Sequence, residues 1–216
     1  MNSPGRTREA SDRPWLQVAG FDVERLQIDQ QDIFIPTDLK LMNVGHSPAL
    51  DIHIAHVLMP SLSTTEEASE IVRVCKQAKA ISYGFYNSVV FPGEDRMYHP
   101  NETLFDLDIA SIQRRKEARV RDQRVQQRDM MGEGPAEAEA QRVMNLPLRD
   151  ALTLLGCVTY KSATGGDVHA TSFGLDLSRS CPESPVGMCA FEFPQPAIVA
   201  RDGLVERPLL GASYAD

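Results

Sequence analysis

Apolar and polar residues alternate along most of this chain, and a period of two is typical of β-strands with one buried face. In residues 35–44, for example, Leu39 and Leu41 share one face while Asp38 and Lys40 share the other. Alternation of this kind, or a short apolar run, predicts strands at 15–23, 35–44, 49–58, 85–91, 102–109, 150–163, 167–178 and 188–193. The chain is therefore predicted to be mainly β.

Two turns join pairs of these strands. Residues 43–48 are rich in turn formers, because Gly45 tolerates positive φ and Pro48 has a fixed φ and no amide hydrogen. Later in the chain, Gly165 and Gly166 supply the two adjacent glycines that favour a tight hairpin. We expect antiparallel pairing at both places.

One helix interrupts the strands. Residues 63–66 read Ser-Thr-Thr-Glu, which fits a capping box that satisfies the first free amides of a helix. Apolar residues then recur with the spacing of one helix face, at Ala68, Ile71, Val72, Cys75 and Ala78. This spacing predicts an amphipathic helix over about residues 64–81.

The composition changes sharply after residue 112. Residues 113–129 contain seven basic side chains against three acidic ones, with few apolar residues among them. The segment around 130–134 interrupts this stretch, and residues 135–143 have helical character again. We interpret residues 113–146 as a charged helical insertion, because lengthening a surface loop costs little chain entropy.

About eight short strands without βαβ alternation favour two packed antiparallel sheets. We therefore expect an immunoglobulin-like β-sandwich, with a closed barrel as the main alternative. The sandwich is expected to span residues 14–193, interrupted by the insertion at 113–146. Residues 1–13 are expected to form a disordered tail and residues 194–216 an irregular C-terminal tail.

Charge and hydropathy narrow the function classes. The net charge of −8 argues against a nucleic-acid-binding protein, which usually carries a basic surface. No stretch approaches the roughly 20 apolar residues that a membrane-spanning helix needs. The sequence as written, without an apolar leader, is expected to be cytoplasmic; it would be membrane-associated if the true start lies upstream.

The four cysteines have spacings that match no zinc-binding pattern, and we expect them to be reduced and mostly buried. In an oxidising compartment, Cys181 and Cys189 would be able to close a loop. Cys157 and His169 form the only candidate nucleophile and base, across the predicted hairpin. His53 and His56 are an odd number of residues apart on a strand and point to opposite faces. No cofactor or metal site is predicted.

The basic run contains the residues that we consider for interaction. They would contact an anionic lipid surface, RNA or an acidic protein, although no aromatic residues are interleaved with them. The simplest interpretation is a solvated helix. The residues are Arg114, Arg115, Lys116, Arg119, Arg121 and Arg124.

Two segments resemble the motifs of a family of uncharacterised bacterial proteins. Residues 43–49, Asn-Val-Gly-His-Ser-Pro-Ala, are similar to its N-x-G-x-[ST]-P-A corner, and follow Arg-Pro-Trp at 13–15. Residues 156–160 and 169–173 are similar to its G-C-[VI]-x-Y and H-x-T-x-F hairpin. The residues that carry the resemblance structurally are Asn43, Gly45, Pro48, Gly156, Tyr160 and Thr171.

The resemblance implies an immunoglobulin-like domain carried after one or two N-terminal transmembrane helices. The polar residues 1–13 depart from that pattern. The leading hypothesis is a non-enzymatic interaction or structural domain with an unknown protein partner and no predicted oligomeric state. The alternatives are a membrane-associated sensor or accessory domain, and a thiol-dependent hydrolase that uses Cys157 and His169.

Overall fold

The computed structural model is mainly β, with antiparallel strands, as predicted. It describes residues 13–29, 32–60, 64–80, 88–99, 103–106, 109–131, 133–144, 148–163, 166–193 and 197–209. The strands in chain order are β1 (Leu16–Val23), β2 (Arg25–Asp29), β3 (Asp32–Ile35), β4 (Thr37–Asn43), β5 (Ala49–Pro60), β6 (Val89–Val90), β7 (Asp95–Tyr98), β8 (Thr103–Asp106), β9 (Leu148–Asp150), β10 (Leu152–Ser162), β11 (Val168–Ser180), β12 (Met188–Cys189), β13 (Phe191–Phe193), β14 (Ala197–Ala200) and β15 (Leu204–Pro208).

A central sheet, sheet C, is built on the long strands β5, β10 and β11. Strand β10 lies between β5 and β11, β6 pairs with the start of β5, and β12 and β15 pair with β11. Every residue of β10 from Leu152 to Tyr160 is buried. A strand that is buried on both faces reads as a continuous apolar run, which explains why alternation is weak there.

Two smaller sheets cover one face of sheet C. Sheet A has the order β1-β4-β7, and sheet B has the order β14-β2-β3-β8. Leu39 and Leu41 of sheet A pack with Val158 of sheet C in one core cluster, and Leu26 of sheet B packs with Leu152 in another. Strands β9 and β13 form a separate two-stranded ribbon.

Helix α1 (Thr64–Ala80) covers the other face of sheet C and confirms a helix at the predicted place. Ala68 and Val72, which were predicted on its apolar face, are exposed. Ile71, Val74 and Ala78 of the helix pack on Leu155 and Ala170 of the sheet. The sandwich prediction did not say which surface this helix would pack against. In the structure, the apolar side of α1 covers the second apolar face of sheet C.

The charged segment forms two helices, α2 (Ile109–Met131) and α3 (Glu133–Met144), which pack on each other. Ile112 is 1% exposed and belongs to the core cluster under sheet B. The first turn of α2 is therefore part of the core rather than of the insertion. In the described part of the chain, none of the helices is both long and apolar enough to cross a bilayer.

Residues 197–208 form regular structure, in contrast to the prediction of an irregular tail over residues 194–216. Strand β14 pairs with β2, a short 3-10 helix follows at Arg201–Gly203, and β15 pairs with β11. This segment therefore connects sheet B to sheet C. Residues 1–12, 164–165 and 210–216 lie outside the described residues, so they include part of each predicted tail and the first glycine of the predicted hairpin turn.

Candidate functional site

Asn43 is fully buried and joins three backbone segments. Its Oδ1 accepts hydrogen bonds from the amides of Trp15 and Gly45, at 3.2 and 2.9 Å. Its Nδ2 donates to the carbonyls of Ser47 and Val90, at 2.8 and 2.9 Å. The side-chain amide thus makes all of the bonds that its two donors and its acceptor favour, and it fixes the corner at 43–48.

Gly45 is required at this corner for steric reasons. A Cβ atom on Gly45 would lie 2.4 Å from the amide nitrogen of Trp15 and 2.5 Å from the carbonyl oxygen of Arg13. Both atoms belong to the backbone, so they have little freedom to move. Pro48 is half-buried in the same corner.

Three exposed apolar side chains surround this corner, and we call them the corner patch: Trp15, Val44 and Phe91. Their exposed fractions are 40%, 47% and 58%. The amide of Val44 donates to the carbonyl of Trp15 at 2.9 Å, and the guanidinium of Arg13 lies 4.6 Å from the centroid of the Trp15 ring. The turn that carries Phe91 is bonded to Asn43 through Gly93.

The other motif residues lie in the core rather than in a pocket. Gly156 faces its register partner Phe173, and Tyr160 lies beside Thr171 with their hydroxyl oxygens 3.5 Å apart. Thr171 also donates to the carbonyl of Leu16 at 2.7 Å, which connects sheet C to sheet A. These residues hold the two layers together.

The structure does not bring Cys157 and His169 together. Strand register places His169 opposite Tyr160, three residues along β10 from Cys157 and therefore on the other face. The sulfur of Cys157 is bonded to that of Cys75 on α1. Since a nucleophile must be a thiolate, the proposed thiol chemistry has no reactive group here.

All four cysteines form disulfides, so the expectation of reduced thiols was wrong. Cys75 and Cys157 are buried between α1 and sheet C. Cys181 and Cys189 close a short loop in which the amide of Cys181 donates to the carbonyl of Gly187 at 2.9 Å. The second pairing is the one that the sequence suggested for an oxidising compartment.

His53 and His56 point to opposite faces of β5, as their spacing predicted. His56 lines a small cavity of about 10 Å³ with Phe21, Leu154 and Phe173 among its walls. The Nδ1 atom of His53 is buried and has no hydrogen-bond partner in the described part of the structure. Burial lowers the pKa of both imidazoles below the ordinary value of 6.5.

A cleft of about 140 Å³ lies where β1, β4 and the C-terminal segment meet, and three carboxylates line it: Asp22, Glu24 and Asp38. Asp22 and Asp38 are register partners on β1 and β4. Arg201 lies 2.9 Å from Asp22, and the Nδ1 of His99 lies 2.6 Å from Asp38. Asp22 is therefore paired with a cation of the chain itself, and Asp38 has a hydrogen-bonding partner.

The C-terminal segment adds one more carboxylate near this cleft. Burial, and then the negative charge of Asp22, raises the pKa of Glu206, although a backbone hydrogen bond from Val23 and the charge of Arg201 act in the opposite direction. No group of three or more His, Cys, Asp and Glu side chains suited to a metal ion occurs among the residues described above.

The basic residues of α2 are only partly exposed. Arg114 and Arg121 are exposed, whereas Arg115 and Lys116 are half-buried because they follow Ile112 on the side that faces the body. Arg115 donates to the carbonyl of Pro60 at 3.3 Å. The side chains of Arg119 and Arg124 lie outside the described residues.

Neither a family model, nor a curated protein, nor a solved structure matches this chain. The corner patch and the acidic cleft were not predictable from the sequence, since both are assembled from segments far apart in the chain. Phe91 stood in a predicted strand, and nothing in its neighbours indicated that its ring would be exposed.

Proposed function

We propose that this chain is a non-enzymatic interaction domain that binds a protein partner through the corner patch. The exposure of Trp15, Val44 and Phe91 at one rigid corner carries the proposal. Exposed aromatic side chains that are grouped rather than scattered are typical of interaction surfaces, because large rings bury much area on binding.

The rigidity of the corner supports this function. The backbone around the patch is held by hydrogen bonds to both polar atoms of the Asn43 side-chain amide, so that little conformational freedom is lost when a partner binds. The same bonds fix the spacing between Trp15 and the turn that carries Phe91. A preformed surface of this kind favours recognition over chemistry.

We further propose that the domain folds in an oxidising compartment, in place of the cytoplasm that the sequence favoured. The pairing of all four cysteines supports this location, because disulfides persist outside the reducing cytoplasm. The accessory or sensor domain of a membrane-associated protein is the second candidate, since it would function on that side of a membrane. Cell fractionation with a mass measurement of the native N-terminus distinguishes it from a secreted domain.

We also propose that the fold is immunoglobulin-like and that the chain is related to the family of uncharacterised bacterial proteins whose motifs it resembles. Two antiparallel layers with a core between them support the comparison. The helix α1 on the second face of sheet C would be an addition to such a sandwich. The motif at Asn43 and Gly45 supports the kinship because its residues build one local structure.

Site-specific photocrosslinking in the native host tests the proposed surface. A photoreactive amino acid replaces Phe91 in one variant and Val72 in a matched control. Val72 is 60% exposed on the outer side of α1, away from the corner. We expect one discrete protein adduct from position 91 and none from position 72.

The result that would overturn the proposal is equally specific. Adducts that form equally from both positions, or from neither, would show that the corner patch is not a binding surface. Thermal unfolding of each variant checks that the fold is kept, so that a missing adduct reports on the surface rather than on stability.

A further inference from the structure

Strand β14 is an open edge of sheet B. It forms one end of the order β14-β2-β3-β8 and pairs only with β2 among the described strands. Its sequence, Ala-Ile-Val-Ala, contains no charged residue, and Ile198 is 71% exposed. Edge strands are commonly protected by a charge or a proline within the strand, because a free edge pairs readily with another chain.

The outer face of sheet B continues from this edge as a mixed row, which is apolar at Ile198 and Phe34 and polar at Gln27. Register places Ile198 beside Gln27, and Gln27 beside Phe34. The residues between them in sequence, such as Val199 and Leu26, point into the core. An added strand next to β14 would therefore extend the row outward from Ile198.

The row is flanked on one side by acidic residues. Asp29 and Asp32 are exposed register partners, one step beyond the outer row on β2 and β3. Neither carboxylate has a cation among the residues whose positions are described. Like charges that face each other across two strands are unfavourable, and a basic side chain from outside would relieve this repulsion.

We infer that β14 receives an extended segment of a partner protein, which adds as a fifth strand and carries an apolar residue two positions from a basic one. The apolar side chain covers Ile198. The basic side chain is then level with Asp29, about 10 Å away across two strand spacings, which an extended Lys or Arg bridges to a carboxylate. This inference rests on the proposed interaction function and names a further surface for it.

A second copy of this chain fits the edge less well. Two β14 strands paired about a two-fold axis would bring no Lys or Arg of the strand itself against Asp29 and Asp32. The nearest basic residue in sequence, Arg201, is bonded to Asp22 of its own chain at 2.9 Å. Arg25, the register partner of Ala200, has its guanidinium 5.6 Å from the centroid of the Phe34 ring in its own sheet. Charge complementarity therefore favours a different partner.

Peptide binding to the full, oxidised chain tests the inference. The probe is a short synthetic peptide of alternating threonines with an Ile-Thr-Lys core, and the matched control carries Ile-Thr-Glu. Titration is followed by backbone amide shifts in NMR spectra. We expect the largest shifts in residues 197–200 and binding that weakens at high salt, because the ion pairs are exposed.

Three variants make the result specific. Ile198→Lys places a charge on the edge at an exposed position and is expected to abolish binding. Asp29→Asn with Asp32→Asn is expected to weaken it about fivefold to tenfold. Asp167→Asn with Glu183→Gln removes two exposed carboxylates outside sheet B and is expected to change nothing.

Equal binding of the two peptides, or shifts centred away from β14, would overturn the inference. A concentration-dependent dimer in analytical ultracentrifugation that Ile198→Lys dissolves would overturn it as well, in favour of self-pairing. If the photocrosslinked adduct at position 91 persists while peptide binding fails, the proposed function stands and only the β14 inference falls.

Discussion

The ring of Phe173 lies against Gly156, its register partner on the neighbouring strand of sheet C. A Cβ atom added to Gly156 would fall 2.0 Å from the Cζ atom of that ring. Phe173 also packs against Phe21, with ring centroids 5.1 Å apart. The ring therefore cannot move aside without loss of contacts in the core between sheets A and C.

Gly156→Ala is accordingly expected to destabilise the fold by about 2–4 kcal/mol, because it overpacks a closed core. Urea denaturation measures the change in the free energy of unfolding. Gly20→Ala is the matched control, since its Cβ would lie 3.9 Å from the nearest atom, the Cβ of Lys40. A loss as small in Gly156→Ala as in the control would contradict the packing described.

Asn43→Ala is expected to destabilise the chain by about 3 kcal/mol or more, because it leaves several buried backbone groups without partners. These include the carbonyls of Ser47 and Val90. Gln17→Ala, at an exposed position of β1, serves as the control. Hydrogen exchange should also speed up at the amide of Gly45, which now donates to Asn43; unchanged exchange would speak against the proposed corner.

Removal of the two disulfides is expected to have unequal effects. Cys75 and Cys157 are 82 residues apart, and Cys181 and Cys189 are 8 apart. The entropy of loop closure then predicts a loss of about 4–5 kcal/mol for Cys75→Ala with Cys157→Ala and about 2–3 kcal/mol for the other pair. Denaturation of the two double variants measures both.

Alkylation of the unfolded wild-type chain, followed by mass measurement, checks the premise of that comparison. The oxidised protein should take up no alkyl groups until a reductant is added. Four alkyl groups without reductant would show that the cysteines are free and would remove the argument for an oxidising compartment.

The histidines of β5 make stability fall on acidification. Because the folded-state pKa of His56 lies below 6.5, the unfolded chain takes up the proton first as the pH decreases. Stability is then lost as the pH falls through the unfolded value toward the folded one. His56→Leu should flatten the dependence of the unfolding free energy between about pH 7 and pH 5; an unchanged slope would assign it to other groups.

Glu206 titrates in the opposite sense. Its folded-state pKa is raised, so its contribution to stability is fully present below the unfolded value and is lost as the pH rises through the folded one. Glu206→Gln should therefore stabilise the chain at neutral pH relative to acidic pH. Thermal unfolding of the variant and the wild type across this range compares them, and a variant that is less stable at neutral pH would refute the assignment.

The amphipathic helix and the long strands were predictable because their patterns are local. Helix α1 ends within one residue of its predicted bound, since the spacing of Ile71 and Cys75 is set by the helix itself. Strand β14 escaped prediction because its four apolar residues, which follow Pro196 and precede Arg201, show no alternation. Its register with β2 determines which residues of β14 face the core and which face outward.

The pairing of Cys75 with Cys157 was not predictable for a different reason. Cys75 meets Cys157 only because α1 docks on sheet C, and that docking depends on an apolar face that serves both partners. The acidic cleft was not predictable for the same reason, because it also depends on contacts between segments far apart in the chain. Asp22 and Asp38 come together through strand register, and Arg201 reaches them from a segment that the sequence left irregular.

The covalent link between α1 and β10 also determines how this domain would respond to a pulling force. Tension applied at its two ends would pass through the bond between Cys75 and Cys157 and bypass the residues between them. The bypassed segment includes α2 and α3, so these two helices would carry no load. Full extension would be shorter by about 280 Å than for the reduced chain. A partner that pulls on this domain would therefore leave α2 and α3 folded.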